Sequence, residues 1–418
     1  MRPILLGLLL VLPLLGGCLS TAEDESPPTF EWPEPEPITG CELTLDSDDH
    51  DDHGDDHDDH DDHDDHGHDS DVSCDQRLET SSAVIDIAPL GGEVILSMLD
   101  GTIARWAGNE TDILVNLTSL VSTCHNEQGL LAIEAMEPNG STNQALLAYV
   151  EAGPCDPTHV SDVVVGVLNL DEGLDAVPEV VLRVPQVKRN HNGADLIGLA
   201  DGSFLLSLGD GGGSNDPYGH GQNTTSLLGG IIHFSIDNGS AVPASNASDG
   251  RNDFLLHHGL RNPFRMAQDP AGGLWIADVG QRCWEEVNYI PHWNVSTNFG
   301  WNEREGHMPF SADAPCDTPT TEPSEGLVDP VLTYGHEDGR CSILGGPWVE
   351  PSVLAPTGGF LYGDFCSGEV WVAHVGDAGI ESTLIATTNL FIVGLAVADD
   401  GAILVSSWTG GVYALSAV

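Results

Sequence analysis

An all-β chain of repeated antiparallel hairpins is what this sequence predicts, and three features point that way. One texture recurs from about residue 81 onward: an apolar pair, a turn with Asp-Gly or Gly-Gly, an alternating strand, then another glycine. Alternation is the period of a half-buried strand, and such dipeptides are hairpin turns. No amphipathic stretch of helical period stands out.

The unit first appears over residues 85–106, with its turn at Gly91-Gly92, the strand Val94-Ile95-Leu96-Ser97 and a closing Asp100-Gly101. It returns over 197–211, where Asp201-Gly202 precedes Phe204-Leu205-Leu206-Ser207, and again over 266–280, 358–375 and 395–415. Short hairpins repeated through residues 81–418 suggest radial repetition, because a β-propeller disposes of sheet edges by setting small four-stranded antiparallel sheets around an axis. At about 40–50 residues per blade, roughly six to eight blades fit. A large β-sandwich is the competing arrangement.

Residues 1–17 read as an export signal: Met1-Arg2, a Leu-rich run over 4–15, then Leu15-Gly16-Gly17-Cys18. The run falls short of the roughly 20 apolar residues that a membrane span needs. Leu-Gly-Gly-Cys matches the bacterial lipobox, so Cys18 is expected to carry lipid; an ordinary cleaved signal is the alternative. The expected location is therefore exported and lipid-anchored, on the outer side of the cytoplasmic membrane or in the periplasm or outer membrane. In that oxidising setting, the nine cysteines less Cys18 leave an even set. Connectivity does not follow from sequence; pairing of neighbours is the expectation, Cys41–Cys74, Cys124–Cys155, Cys283–Cys316 and Cys341–Cys366.

Residues 18–80 read as a disordered acidic tether. Its 48–71 tract of Asp-Asp-His triplets carries His50, His53, His57, His60, His63, His66 and His68. A solvated spacer is one reading; a multivalent trap for zinc, copper or nickel is the other. The whole chain sets 66 acidic against 12 basic residues, a net charge of -54, with Lys188 its single lysine. Such a surface repels nucleic acid, so phosphate-backbone binding is excluded as a function.

Four clusters exceed what strands and turns require: Glu127-Gln128-Gly129; Asn190-His191-Asn192-Gly193 with Leu208-Gly209-Asp210-Gly211-Gly212; Arg261-Asn262-Pro263 leading into Asp278-Val279-Gly280-Gln281, Glu285-Glu286-Val287-Asn288 and Asn298-Phe299-Gly300-Trp301; and Tyr362-Gly363-Asp364-Phe365-Cys366-Ser367-Gly368. A histidine in a polar loop suits proton transfer near neutrality, although a plain surface loop histidine is the commoner case. Arg261 offers a fixed cation to a carboxylate or carbonyl. Main-chain and carboxylate oxygens around Gly280-Gln281 are of the kind calcium prefers.

In this order the clusters resemble the soluble quinoprotein sugar dehydrogenases, the glucose/sorbosone dehydrogenase family, in its hedgehog-interacting-protein-like branch. The resemblance covers about residues 81–418 and implies a six-bladed propeller with pyrroloquinoline quinone (PQQ) and Ca2+ at its axis. It implies that His191 is the general base on a sugar's anomeric hydroxyl and that Arg261 and Asn262 contact the quinone. Gly280 and Gln281 would hold calcium through main-chain oxygens, with Glu127 and Asn190 on the substrate side. The implied activity is oxidation of an aldose-type sugar, with electrons leaving to an external acceptor. Three positions depart from the family pattern: Glu350 follows Gly345-Gly346-Pro347-Trp348-Val349, and Gly230 and His233 follow Leu-Leu-Gly, where basic residues are usual. Arg265, Arg282 or Arg340 could substitute. A non-catalytic propeller binding a glycan or protein partner is the rival reading.

Overall fold

The structure is a computed structural model that describes residues 40–44, 72–90, 92–136, 143–156, 158–244 and 250–418. The export signal, Cys18 and the histidines His50 to His68 lie outside the described residues. Six inner strands form a closed ring: Val84–Leu90, Leu130–Ala135, Leu196–Gly198, Pro263–Gln268, Ile343–Val349 and Ile392–Val397, each touching the next and the last touching the first. From each of them a meander of antiparallel strands runs outward, giving the six blades of a propeller, numbered here in chain order. Among the described residues the only helical turns are Leu170–Glu172 and Glu337–Gly339.

Two blades depart from plain four-strand order. In blade 3 the outer position is shared by Ser240–Pro243 and Leu255–His258, both paired with Gly230–Asp237. In blade 6 the C-terminus supplies only three strands, and Val72–Leu78 completes the sheet against Val412–Ala417. The folded part therefore starts before residue 81. This upstream strand covers the Val412–Ala417 edge and, carrying Asp75 and Arg77, becomes the blade's charged outer edge itself.

The inner strands leave backbone groups without a ladder partner, and buried amides must be satisfied. Side chains from neighbouring blades do so. Asp86 accepts from Ile133 N at 3.3 Å, Asp195 from Met266 N at 2.7 Å and Glu285 from Ile343 N at 2.9 Å. Ser207 donates to Pro263 O at 2.8 Å and Ser406 to Val84 O at 2.6 Å. Apolar side chains fill the spaces between blades, for instance Trp275 of blade 4 against Phe360 of blade 5, with ring centroids 5.8 Å apart.

Antiparallel alternation sends the connection entering each inner strand, and the turn between second and third strands, to the same end of the ring. His191, Arg261, Asn262 and Glu127 lie on entering connections; Asp210, Gly280 and Gln281 lie on the turns. Disulfides staple these two loop sets together at two blades, Cys124–Cys155 and Cys341–Cys366. Cys283–Cys316 holds the Gln281 turn to a later excursion of blade 4, and Cys41–Cys74 binds residues 41–44 to the closing strand.

Candidate active site

His191 is buried, with a left-handed backbone at φ 56° that a turn of chain imposes before blade 3. Gly209 lies so close beneath it that a Cβ there would stand 2.1 Å from the His191 carbonyl oxygen. That approach brings the next residue, Asp210, under the imidazole. Asp210 Oδ1 meets His191 Nδ1 at 2.7 Å and accepts from Gly212 N at 2.9 Å, while Oδ2 accepts from the Trp301 indole at 2.9 Å. Burial pushes the Asp210 carboxyl up, but the His191 bond and the charges of His191 and Arg261 overturn that and leave it below its ordinary range. An ionised Asp210 orients Nδ1–H toward itself and leaves Nε2 as the basic atom. Among the described residues nothing hydrogen-bonds that Nε2.

Glu127 bridges two of the clusters. Its Oε2 accepts from His191 N at 2.7 Å and lies 3.4 Å from Asn262 Nδ2. Asn262 in turn accepts from Gly193 N at 3.2 Å, and its own N–H donates to Asp278 at 2.7 Å. Arg261 donates through its main chain to Asp278 at 3.0 Å and through Nη1 to the carbonyls of Val279 at 3.0 Å and Gly280 at 2.7 Å. Among the described residues its buried Nε finds no hydrogen-bond partner. Burial raises the Asp278 carboxyl, against the pull of two amides and Arg261.

His191, Glu127, Asn262, Arg261 and Gly280 thus share one hydrogen-bonded network. Asn190 sits half-buried beside His191. The Gln281 side chain turns to Asn215, donating to its Oδ1 at 2.7 Å, while Gln281 N and Cys283 N both donate to Glu305 Oε1 at 2.9 Å. Asp210 and Trp301 belong to this network although the sequence assigned them no role; each stood inside a quoted cluster, next to a glycine.

Arg265 and Arg340 are occupied elsewhere, and Arg282 turns to solvent. Arg265 donates to Ile85 O and Leu131 O, Arg340 pairs with Glu369, and Arg282 is exposed. Among the described residues, none of the three side chains donates a hydrogen bond to His191, Glu127, Asn262, Arg261 or Gly280. Glu350 is exposed just past Val349, at the end of its inner strand remote from Ile343 and the Gly280 turn. It therefore does not face this network.

Fold and site together define a six-bladed propeller with a histidine–carboxylate pair and an arginine gathered at one mouth of its ring. Residues 82–342 match the model of the Glucose / Sorbosone dehydrogenase family, and the chain belongs to that family. It is 31% identical over 209 residues to the HIPL2 protein of Arabidopsis thaliana, covering 44% of this chain and 29% of that one. The chain thus spans under a third of that relative's length. Its fold is similar to that of soluble aldose sugar dehydrogenase from Escherichia coli in its apo-form, with a TM-score of 0.67, 19% identity, and coverage of 83% of this chain and 100% of that one. The PQQ-bound aldose sugar dehydrogenase from Streptomyces coelicolor matches with a TM-score of 0.65 at 20% identity, over 83% of this chain and 98% of that one. At such identities the likeness is one of fold.

Proposed function

We propose that this propeller oxidises an aldose-type sugar outside the cytoplasm, with PQQ and calcium held at the mouth of the ring and electrons leaving to an external acceptor. The observation that carries the reading is the His191–Asp210 pair joined to Arg261 in one network. The donor set fits both groups. Arg261 has a buried Nε, unpartnered among the described residues, for a carboxylate or quinone oxygen, and the Gly280-Gln281 turn sets its amides against the Glu285 and Glu305 carboxylates, an oxygen-rich setting that suits a hard divalent cation once Arg261 Nη1 releases the Gly280 carbonyl. With Arg261 the network's one guanidinium, and its Nη1 already held by two carbonyls, calcium is needed to offset the quinone's three carboxylates.

Arg261 and Asn262 would hold the quinone, and the main-chain oxygens of Gly280 and Gln281 the calcium. When bound, the quinone supplies the hydride acceptor and the calcium polarises it. The protein's own part is proton transfer and aim. His191 Nε2 takes the anomeric hydroxyl proton, Asp210 holds the resulting imidazolium, and Glu127 and Asn190 line the substrate side. Export and anchoring through Cys18 belong to the same proposal; no helix of the described residues is long and apolar enough to cross a membrane.

Reconstitution with PQQ and calcium, followed by dye reduction over a panel of aldoses, tests the reading. Turnover of at least one aldose is expected, lowered about 100-fold or more by His191→Ala. Failure of the protein to bind the quinone would favour the rival, a non-catalytic propeller that binds a glycan or protein partner, to which the scarcity of uncommitted cations around Glu127 already lends weight.

A further inference from the structure

Trp301 lies on the long excursion of blade 4 between Glu285–Ile290 and Leu332–Tyr334, yet its hydrogen bonds to Asp210, Gln222 and Gly259 tie it to blade 3 and the connection leaving it. Its N–H donates to Gly259 O at 2.9 Å and its carbonyl accepts from Gln222 Nε2 at 2.6 Å. Gly221 packs on that carbonyl so closely that a Cβ would come within 2.5 Å. Phe310 backs the indole at 4.7 Å between centroids. The ring is 4% exposed and held from several sides, with two polar neighbours left for it: the Asp210 carboxylate at its Nε1–H and the Arg261 guanidinium 5.7 Å over its ring.

Asp210 has two oxygens and three donors. Gly212 N and His191 share Oδ1, and Trp301 alone takes Oδ2. Without the indole, a buried carboxylate oxygen is left unpaired, and the carboxylate can rotate to find a partner. Such rotation would break the alignment with His191 Nδ1, and nothing else in the network restores it. The same ring supports Arg261 through its π-face. We infer that Trp301 is a positioning residue that locks the His191 tautomer through Asp210 and keeps the imidazole in register with Arg261. This role rests on the proposed sugar oxidation for its purpose, but not for its geometry.

Trp301→Phe removes the N–H and keeps a ring. In 15N spectra of histidine-labelled protein, wild-type His191 is expected as a single Nδ1–H tautomer above its titration, and the variant as a mixture with a displaced midpoint. In the reconstituted enzyme kcat is expected to fall about tenfold with KM for the sugar within about twofold, and the acid limb of the pH profile to move. Phe310→Leu is the control: it loosens the same indole from behind, and should lower thermal stability without altering the His191 tautomer. An unchanged tautomer and midpoint in Trp301→Phe would overturn the inference, as would an equal disturbance in Phe310→Leu. If Trp301→Phe does not fold, the wild type decides: its Trp301 indole N–H resonance should shift at the His191 midpoint, and a flat response overturns the role. Absence of sugar turnover in wild type would defeat the proposed activity while leaving the tautomer measurement valid.

Discussion

Arg265 lies 3.4 Å from Asp195, and the pair ties blade 4 to the entry of blade 3 at the centre of the ring. The same guanidinium donates at 2.9 Å to Ile85 O of blade 1 and at 2.9 Å to Leu131 O of blade 2. One side chain thus joins four of the inner strands. Replacing it by methionine nearly keeps the volume but leaves Asp195 without its counter-ion and two carbonyls without this donor, which should cost about 3–5 kcal/mol in denaturant unfolding. A loss below about 1 kcal/mol would mean that the ring does not depend on this cation.

Acid groups crowd around that arginine, and they set a pH dependence. Burial pushes Glu134 up to about 8, with Asp86 and Asp195 adding to the rise, and burial takes Asp195 to about 7 against the pull of Arg265. Both folded values exceed those of the unfolded chain, so the folded state holds protons that the unfolded state has released. Stability from these groups is complete below the ordinary carboxyl range, near 4, and is lost as pH rises toward 8. Each group titrating in this way costs up to about 1.4 kcal/mol per pH unit. Melting temperature should therefore fall between pH 5 and 8, and Glu134→Gln should flatten the curve. A melting temperature that climbs over this interval would contradict the assignment.

Asp210→Asn keeps the shape of the site but removes the charge that selects the Nδ1–H form of His191. Turnover in the reconstituted protein should drop by at least about 100-fold, with melting temperature little changed. Near-normal turnover would show that His191 does not act through this carboxylate.

The Cys124–Cys155 disulfide closes a span of 31 residues, and Glu127 stands three positions beyond its first cysteine. The paired substitution Cys124→Ser/Cys155→Ser should cost about 3 kcal/mol. Because it frees the Glu127 loop rather than His191, KM for the sugar should rise more than kcat falls. The opposite split, read by steady-state kinetics, would place Glu127 away from the substrate.

Local signals made the propeller legible: hairpin dipeptides and alternating strands repeat wherever a second strand follows an inner one. Strand Val72–Leu78 escaped because it carries Asp75, Gln76 and Arg77, follows an acidic tract, and pairs with Val412–Ala417 at the far end of the chain. Nothing local announces such a partner. The same limit applied to the site. His191, Glu127, Arg261 and Asn262 stood out in polar, glycine-bearing loops, whereas the roles of Asp210 and Trp301 arise from contacts 19 and 91 residues apart in sequence.

The Cys41–Cys74 bond has a mechanical consequence. Residues 41–44 lie against blade 5, Thr44 N donating to Thr387 O and Leu43 bridging Thr388, while Cys74 sits in the closing strand of blade 6. Both flanks of the acidic His/Asp tract are therefore fastened to the body of the protein, and a pull applied at residue 40 meets Cys41 first. The load passes across sulfur into two adjoining blades and spares the hydrogen bonds of Val72–Leu78 from bearing it alone. Under reducing conditions that strand would become the first element to peel away.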